Sequence, residues 1–348
     1  MLKYNKFLLI GLWNITGNMT YAREVHTASV LTNGKVLVTG GRKTDSVYWT
    51  SVELYDPSTG LWIITDNMNN ARGEHTASVL TNGKVLVTGG RDGSGYLTSA
   101  ELYDPSTGLW NITGNMNNAR AYHTASVLTN GKVLVTGGQY SSSGYLTSTE
   151  LYDPSTGLWN ITGNMNNARA YHAASVLKSG KVLVTGGRKT DSDYLTSAEL
   201  YDPSTGLWNI TGNMNNTRGY HTASVLTNGK VLVTGGFVGT NSFLISAELY
   251  DPSTGLWNIT RNMNNIRGVH TASVLTNGKV LVTGGRDGSG YLTSAELYDP
   301  STGLWNITGN MNIIRGVHTA SVLTNGKVLV TAGRDNSVYL ASAELYQR

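Results

Sequence analysis

Apolar residues in this chain come in short bursts of strand length, separated by turn chemistry. In one copy, "HTASVL" (123–128) and "KVLVTGG" (132–138) are β-branched runs joined through "TNG". Asn-Gly is the favoured pair for a tight hairpin turn, because both central residues need φ > 0. "VLV" shows no polar alternation, as expected of a strand covered on both faces. A variable stretch follows, then a third run, "TSTELY" in this copy and "TSAELY" in three others, the turn "DPSTG" and a fourth run "GLWNIT". In that turn Asp caps, Pro presets φ and Gly takes the left-handed position. No helical period occurs, so the unit reads as a four-stranded antiparallel sheet with strands a to d.

The same unit recurs along the whole chain. Near-copies begin at Arg23, Arg72, Arg120, Arg169, Arg218, Arg267 and Arg315, and their histidines fall at 26, 75, 123, 172, 221, 270 and 318. A sheet with two apolar faces is not stable alone, so the units must stack, and a closed ring protects the end sheets. The termini fit closure. The seventh strand c, around Ala343 to Tyr346, has no strand d after it, while a surplus "GLWNIT" stands at Gly11 to Thr16. The expected fold is all-β: a closed seven-bladed β-propeller of four-stranded antiparallel blades, with the N-terminal strand completing the last blade. No composition shift, linker or charge block divides it, so residues 1–348 are expected to form one domain with blades starting near the seven histidines.

The repeat resembles kelch. The double glycine after strand b (Gly40-Gly41, Gly89-Gly90, Gly137-Gly138, Gly186-Gly187, Gly235-Gly236, Gly284-Gly285), the Glu-x-Tyr of strand c, the Trp of strand d and the Arg before the next strand a stand in kelch order. Ala332-Gly333 replaces the pair in the seventh blade, and Ile63 stands where the other copies have Asn. Physically, glycine pairs let neighbouring sheets approach near the crowded axis. Trp13, Trp62, Trp110, Trp159, Trp208, Trp257 and Trp305 are expected between blades. Arg120 and its equivalents are expected to pair with strand c glutamates such as Glu101 or Glu150. The pairs Tyr122-His123, Tyr171-His172 and Tyr220-His221 before "GKVLVTGG" are also similar to a stretch of galactose oxidase, where an adjacent Tyr and His bind copper. That family's radical cofactor needs a cysteine, and this chain has none.

Composition narrows function further. The charge is +4 from 26 basic and 22 acidic residues, without a basic run long enough to follow a phosphate backbone, so nucleic acid is not expected as a partner. The absence of cysteine excludes disulfides, thiolate metal sites and a Cys nucleophile. "MLKYNKFLLIGLW" at the N-terminus carries only a brief apolar run and is read as structure. No stretch approaches the roughly 20 apolar residues of a membrane span. Histidine, serine and aspartate recur in every blade, whereas a catalytic site is asymmetric, so no enzyme and no cofactor is expected. The seven histidines would ring one mouth of the channel, an arrangement able to hold a transition metal, although hydrogen-bonded strand-start residues are the preferred reading.

What remains is binding. The a–b and c–d turns hardly change between copies, while the b–c loops and the two positions before each His do, and antiparallel order puts both variable sets on one face. Tyr122, Tyr140, Tyr171, Tyr220, Phe237 and Phe243 fall on blades three to five; Arg42, Arg91, Arg286 and Arg334 fall on blades one, two, six and seven. Exposed aromatics beside arginines suit a protein-binding hot spot or a sugar-stacking site. The expected function is a non-catalytic binding or scaffold module for a protein partner, acting as a monomer, with a carbohydrate-binding propeller or a degenerate galactose-oxidase-like metalloprotein as the alternatives. Replacing Tyr122, Tyr171 and Tyr220 by Ala is expected to abolish binding and leave the melting temperature nearly unchanged. Asn-Ile-Thr recurs at Asn14, Asn111, Asn160, Asn209, Asn258 and Asn306, with Asn-x-Thr also at Asn18 and Asn215, a slight pointer to an extracellular setting.

Overall fold

The computed structural model describes residues 11–239 and 241–347. The segment 1–10 lies outside the described residues. Seven four-stranded antiparallel sheets are arranged as blades. In the third, strand a Thr124–Val127, strand b Val133–Thr136, strand c Thr149–Asp153 and strand d Leu158–Ile161 pair in sequence. The seventh blade takes strand d from the other end of the chain. Leu12–Ile15 pairs with Ala343–Gln347 in the register Trp13↔Tyr346, the register of Trp159↔Tyr152 in blade three. No helix long and apolar enough to cross a membrane occurs among the described residues.

Burial explains why the sheets close. Every strand b "VLVT" is wholly buried. Its residues join clusters that cross from blade to blade, such as Leu80, Leu86, Ala100 and Met116 of one blade with Val133, Val135 and Tyr152 of the next. The same kind of cluster spans the seam, where Leu323, Leu329 and Ala332 meet Val36, Val38 and Tyr55. The tryptophans do lie between blades. Trp159 packs on Tyr152 of its own blade at 5.1 Å, and its Nε1 donates to the Gly114 carbonyl of the preceding outer segment at 2.7 Å.

A buried ion pair fixes the entry to each blade. Arg120 is fully buried and gives Nη1 to the Gly137 and Ser148 carbonyls and Nη2 to Ser148 Oγ and to Glu150 at 2.7 Å. Glu150 also accepts the backbone N–H groups of Asn117 and Asn118, so one carboxylate clamps the incoming chain. All seven blades repeat this Arg–Glu pair, with both side chains fully buried. The glycine pair has a sharper reason. Gly137 sits at φ 57°, and a methyl on it would come within 2.3 Å of the Arg169 carbonyl in the next blade. That carbonyl accepts the Gly138 N–H at 2.8 Å, so the close approach is itself a blade-to-blade hydrogen bond. Blade seven tolerates Ala332 at φ 55°, with Gly333 still bonded across the seam to Arg23.

Outer strands are edges. Leu12, Ile15, Leu158 and Ile161 are each more than half exposed, and the Asn of each Asn-Ile-Thr is exposed beside them.

Candidate functional site

The residue before each strand a histidine forms a collar at one mouth of the ring. Val25, Glu74, Tyr122, Tyr171, Tyr220, Val269 and Val317 all take left-handed backbone conformations, φ 49–56°. Their backbones link around the axis: Glu74 N–H to Val25, Tyr122 to Glu74, Tyr171 to Tyr122, Tyr220 to Tyr171, Val269 to Tyr220 and Val317 to Val269, at 2.9–3.2 Å. Left-handed valine is a genuine outlier, since a β-branched side chain crowds its own carbonyl there. The continuous hydrogen-bond chain and the clamped Arg behind each position hold it. Directly outside the collar, single β-bridges tie the d–a segments to the b–c loops: Glu24↔Arg42, Ala121↔Gln139, Gly219↔Phe237 and Gly268↔Arg286. Both variable sets thus lie on one face.

The structure brings five of the six expected aromatics together. Tyr122 meets Tyr171 and Tyr171 meets Tyr220 at centroid distances of 4.2 Å, Tyr220 reaches Phe237 edge-on at 6.1 Å, and Phe237 meets Phe243 at 4.9 Å. The two phenylalanines come from a small extra hairpin, Phe237–Gly239 with Ser242–Phe243, which no other b–c loop forms among the described residues. Tyr140 is separate: half exposed, it lines another hollow with Asn117 and Tyr145. The three collar tyrosines are half-buried, not free in solvent, because their rings cover one another. Burial holds the Tyr122 and Tyr220 hydroxyls protonated well above the usual tyrosine range and moves Tyr171 up to about 12.

The arginines do not form a separate basic sector. Each stacks on, or pairs beside, a b–c loop tyrosine that sequence reasoning passed over. Arg91 stands between Tyr48 and Tyr96 at 5.8 and 5.7 Å, Arg286 over Tyr291 at 5.8 Å and Arg334 over Tyr339 at 5.2 Å. Arg188, on the supposedly aromatic side, stacks on Tyr194. Arg42 instead gives Nε and Nη2 to Glu24. The signal was available: a Tyr recurs in six of the seven b–c loops, just ahead of strand c, with Phe243 in the remaining one. Two hollows result. One, about 430 Å³, is walled by Tyr194, Tyr220, Phe237, Phe243 and Tyr291 with Arg188 and Arg286. The other, about 420 Å³, lies over the collar and includes Glu24, Arg42 and Glu74.

Sequence reasoning also missed the two acids. Glu74 is more than nine-tenths buried; Oε1 accepts the Tyr122 hydroxyl at 3.0 Å and Oε2 has no partner. Burial raises its pKa to about 7, against the lowering pull of Arg42 and Arg91. The histidine ring forms, but its Nε2 atoms turn sideways to the neighbouring blade. His172 Nε2 lies 3.0 Å from both Thr124 and Thr136 of the preceding blade, and five other histidines bridge equivalent threonines. His221 keeps only Thr185, because Ala173 replaces the strand a threonine.

The profile of the KLHDC2/KLHL20/DRC7 Kelch-repeats domain matches residues 9–187, and the Kelch motif matches 169–215, 218–264 and 267–312. The chain belongs to the kelch-repeat family. Among solved structures, this kelch propeller is similar to a "novel fungal alcohol oxidase with catalytic diversity among the AA5 family, in complex with copper", with TM-score 0.80 and 21% identity over 97% of this chain and 76% of that one. At that identity the likeness concerns the fold alone. No curated protein matches. The Tyr-His pairs do not assemble a copper site of the oxidase kind: the imidazoles bond threonines, and no group of three His, Cys, Asp or Glu converges among the described residues. The residues present therefore do not fit that metal.

Proposed function

We propose that this kelch propeller is a non-catalytic binding module, acting as a monomer, whose partner is a protein docked on the collar and the surrounding b–c loops. The observation that carries this is the contrast between frame and collar. Seven copies of the Arg–Glu clamp and of the buried "VLVT", and six of the bridge from His to two threonines, are nearly alike in chemistry, while the collar built on them reads Val, Glu, Tyr, Tyr, Tyr, Val, Val. Such a surface is asymmetric as recognition requires, and aromatic and arginine side chains are the ones enriched at binding hot spots. Kelch-repeat propellers are generally protein-interaction modules, which supports the reading.

The test is affinity capture from the native source with the intact protein and with the Tyr122, Tyr171, Tyr220→Phe triple variant and its Ala counterpart. A partner held by the wild type and lost from the Ala variant, with the variant still folded by circular dichroism, supports docking on this face. Equal capture by all three places the partner elsewhere. The aromatic-walled hollow under Phe237 and Phe243 favours a second reading, a carbohydrate stacked on those rings. A glycan array decides it: saturable binding lost in Phe243→Ala supports the sugar, and an empty array removes it.

A further inference from the structure

Glu74 is an anomaly among seven copies. At the equivalent collar position the other blades carry Val or Tyr, and none of these is an acid. The neighbouring acid, Glu24, is neutralised where it stands by two nitrogens of Arg42. Arg91 occupies in blade two the place Arg42 has in blade one, yet it stacks between Tyr48 and Tyr96 and leaves its Nε without a partner. Glu74 is thus a buried carboxylate on the wall of the collar hollow, with one oxygen unmatched and the adjacent arginine directed elsewhere. An unmatched buried charge is costly unless something pairs it.

We propose that Glu74 is a specificity residue of the docking face, where its free oxygen receives an ammonium or guanidinium group from a lysine or arginine of the partner. This rests on the protein-docking reading above. A carboxylate next to an aromatic stack is the pairing that recognises such a cation: the acid supplies a charge-assisted hydrogen bond and the tyrosine ring electrons add to it. The charged and titratable groups facing Glu74 are Arg42 and Arg91, which favour its ionised form, Glu24, which opposes it, and the hydroxyls of Tyr122, Tyr48 and Tyr96. Arg42 is already spent on Glu24, so the incoming cation faces one uncommitted arginine and one uncommitted carboxylate. A partner presenting an acidic side chain there would instead face Glu74 as a like charge.

The experiment uses the whole propeller and hexapeptide pools with blocked termini, each pool fixed at one central position as Arg, Lys, Gln, Asp or Phe, read by fluorescence anisotropy. The expected result is that the Arg or Lys pool binds about tenfold or more tightly than the Gln pool, the factor set by one charge-assisted bond. Glu74→Gln removes that preference, and so does Glu74→Val, which carries the residue found at this position in blades one, six and seven. Wild-type affinity for the basic pool should also rise from about pH 6 to pH 8 as the carboxylate ionises, with no such rise in either variant. A preference for the Asp or Phe pool that survives in Glu74→Gln overturns the assignment and leaves protein docking standing. Failure of every pool to bind the wild type overturns both.

Discussion

Seven neutral histidines buried in one ring should make this protein acid-sensitive well above the range where its carboxylates titrate. Burial, with the nearby clamp arginines as the next cause, pushes His26, His172 and His270 down to about 3, and His75, His123, His221 and His318 are lowered for the same reason. In the unfolded chain each returns to about 6.5. The unfolded state therefore binds more protons below that value, and stability falls as pH falls. Between pH 7 and pH 5, one histidine held neutral in the fold and free to protonate outside it costs about 1.9 kcal/mol, and seven cost about 13 kcal/mol. Glu74 works the other way. Its pKa near 7 lies above the unfolded value, so protonation on going to pH 5 returns about 2 kcal/mol. Carboxylates such as Asp153 and Asp202, held at about 2 by Ser and Lys partners, lose their contribution only below about pH 4 and do not enter this window.

The net loss of about 11 kcal/mol is comparable to the whole stability of an ordinary domain, 5–15 kcal/mol. Urea denaturation followed by tryptophan fluorescence at half-unit steps between pH 7.5 and pH 5 measures it. The steep part of the curve, near pH 5.5, should have a slope of about five and a half protons, the seven histidines less the proton Glu74 already holds, and the native state should be lost near or before pH 5. A His123→Gln variant, able to keep a bond to the threonines of the preceding blade, should lower that slope by about one proton. A urea midpoint that stays level to pH 5, or a slope of one proton or less, would refute the reasoning: the imidazoles would then be solvated or charged in the fold.

Three further outcomes follow from the frame and the collar. Gly137→Ala, at φ 57° with the Arg169 carbonyl 2.3 Å from the new methyl, should cost about 2 kcal/mol or more in urea denaturation, while Ala332→Gly in the seventh blade should stay within about 1 kcal/mol of wild type. Glu150→Gln leaves Arg120 buried without its counter-charge and should cost about 3–5 kcal/mol, with part of the loss recovered when Arg120→Met is added, as measured by a double-mutant cycle. Tyr171→Ala removes ring contacts on both sides and should lower stability by about 1–3 kcal/mol, whereas Tyr171→Phe keeps the stack, loses the hydroxyl's polar contacts such as that to Gln139 and should melt close to wild type in calorimetry.

That last prediction departs from the expectation drawn from the sequence, where the collar tyrosines read as exposed and dispensable for stability, because their rings are half-buried against one another. The frame was legible because each of its devices is local or repeated. Asn-Gly names its turn, "VLV" names a two-sided core strand, and a surplus Trp13 against a missing partner for Tyr346 names the closure. The collar was not legible, because what defines it is a left-handed backbone at the position before His. Valine, glutamate and tyrosine give no hint of that conformation; only the crowding of seven chains around one axis imposes it. The Arg–Tyr stacks were missed for a related reason. Arg91 touches Tyr48 of the preceding blade, a contact between positions 43 residues apart that only the ring brings together. Glu74 escaped because an acid in a variable loop ordinarily reads as a solvated one.

The division between frame and collar also explains how one copied sentence can acquire a specific meaning. A β-branched residue at φ near 50° is strained by about 1–3 kcal/mol, and three valines in the collar accept that strain. They can do so because the backbone there is fixed from behind: the Arg two residues earlier is locked to its Glu, and the His just after is bonded to threonine of the preceding blade. Side chains at the collar then contribute little to choosing the fold, since the conformation is imposed whatever they are. Substitution there leaves the backbone path in place and costs stability only where the side chain is packed, as Tyr171 is between Tyr122 and Tyr220. The converse holds for the clamp, where Arg120 makes four hydrogen bonds and any change leaves several buried groups unmatched. On the docking reading proposed above, a propeller assembled from near-identical units can change what it binds one collar position at a time, and Glu74 is the one acid at that position among the seven copies.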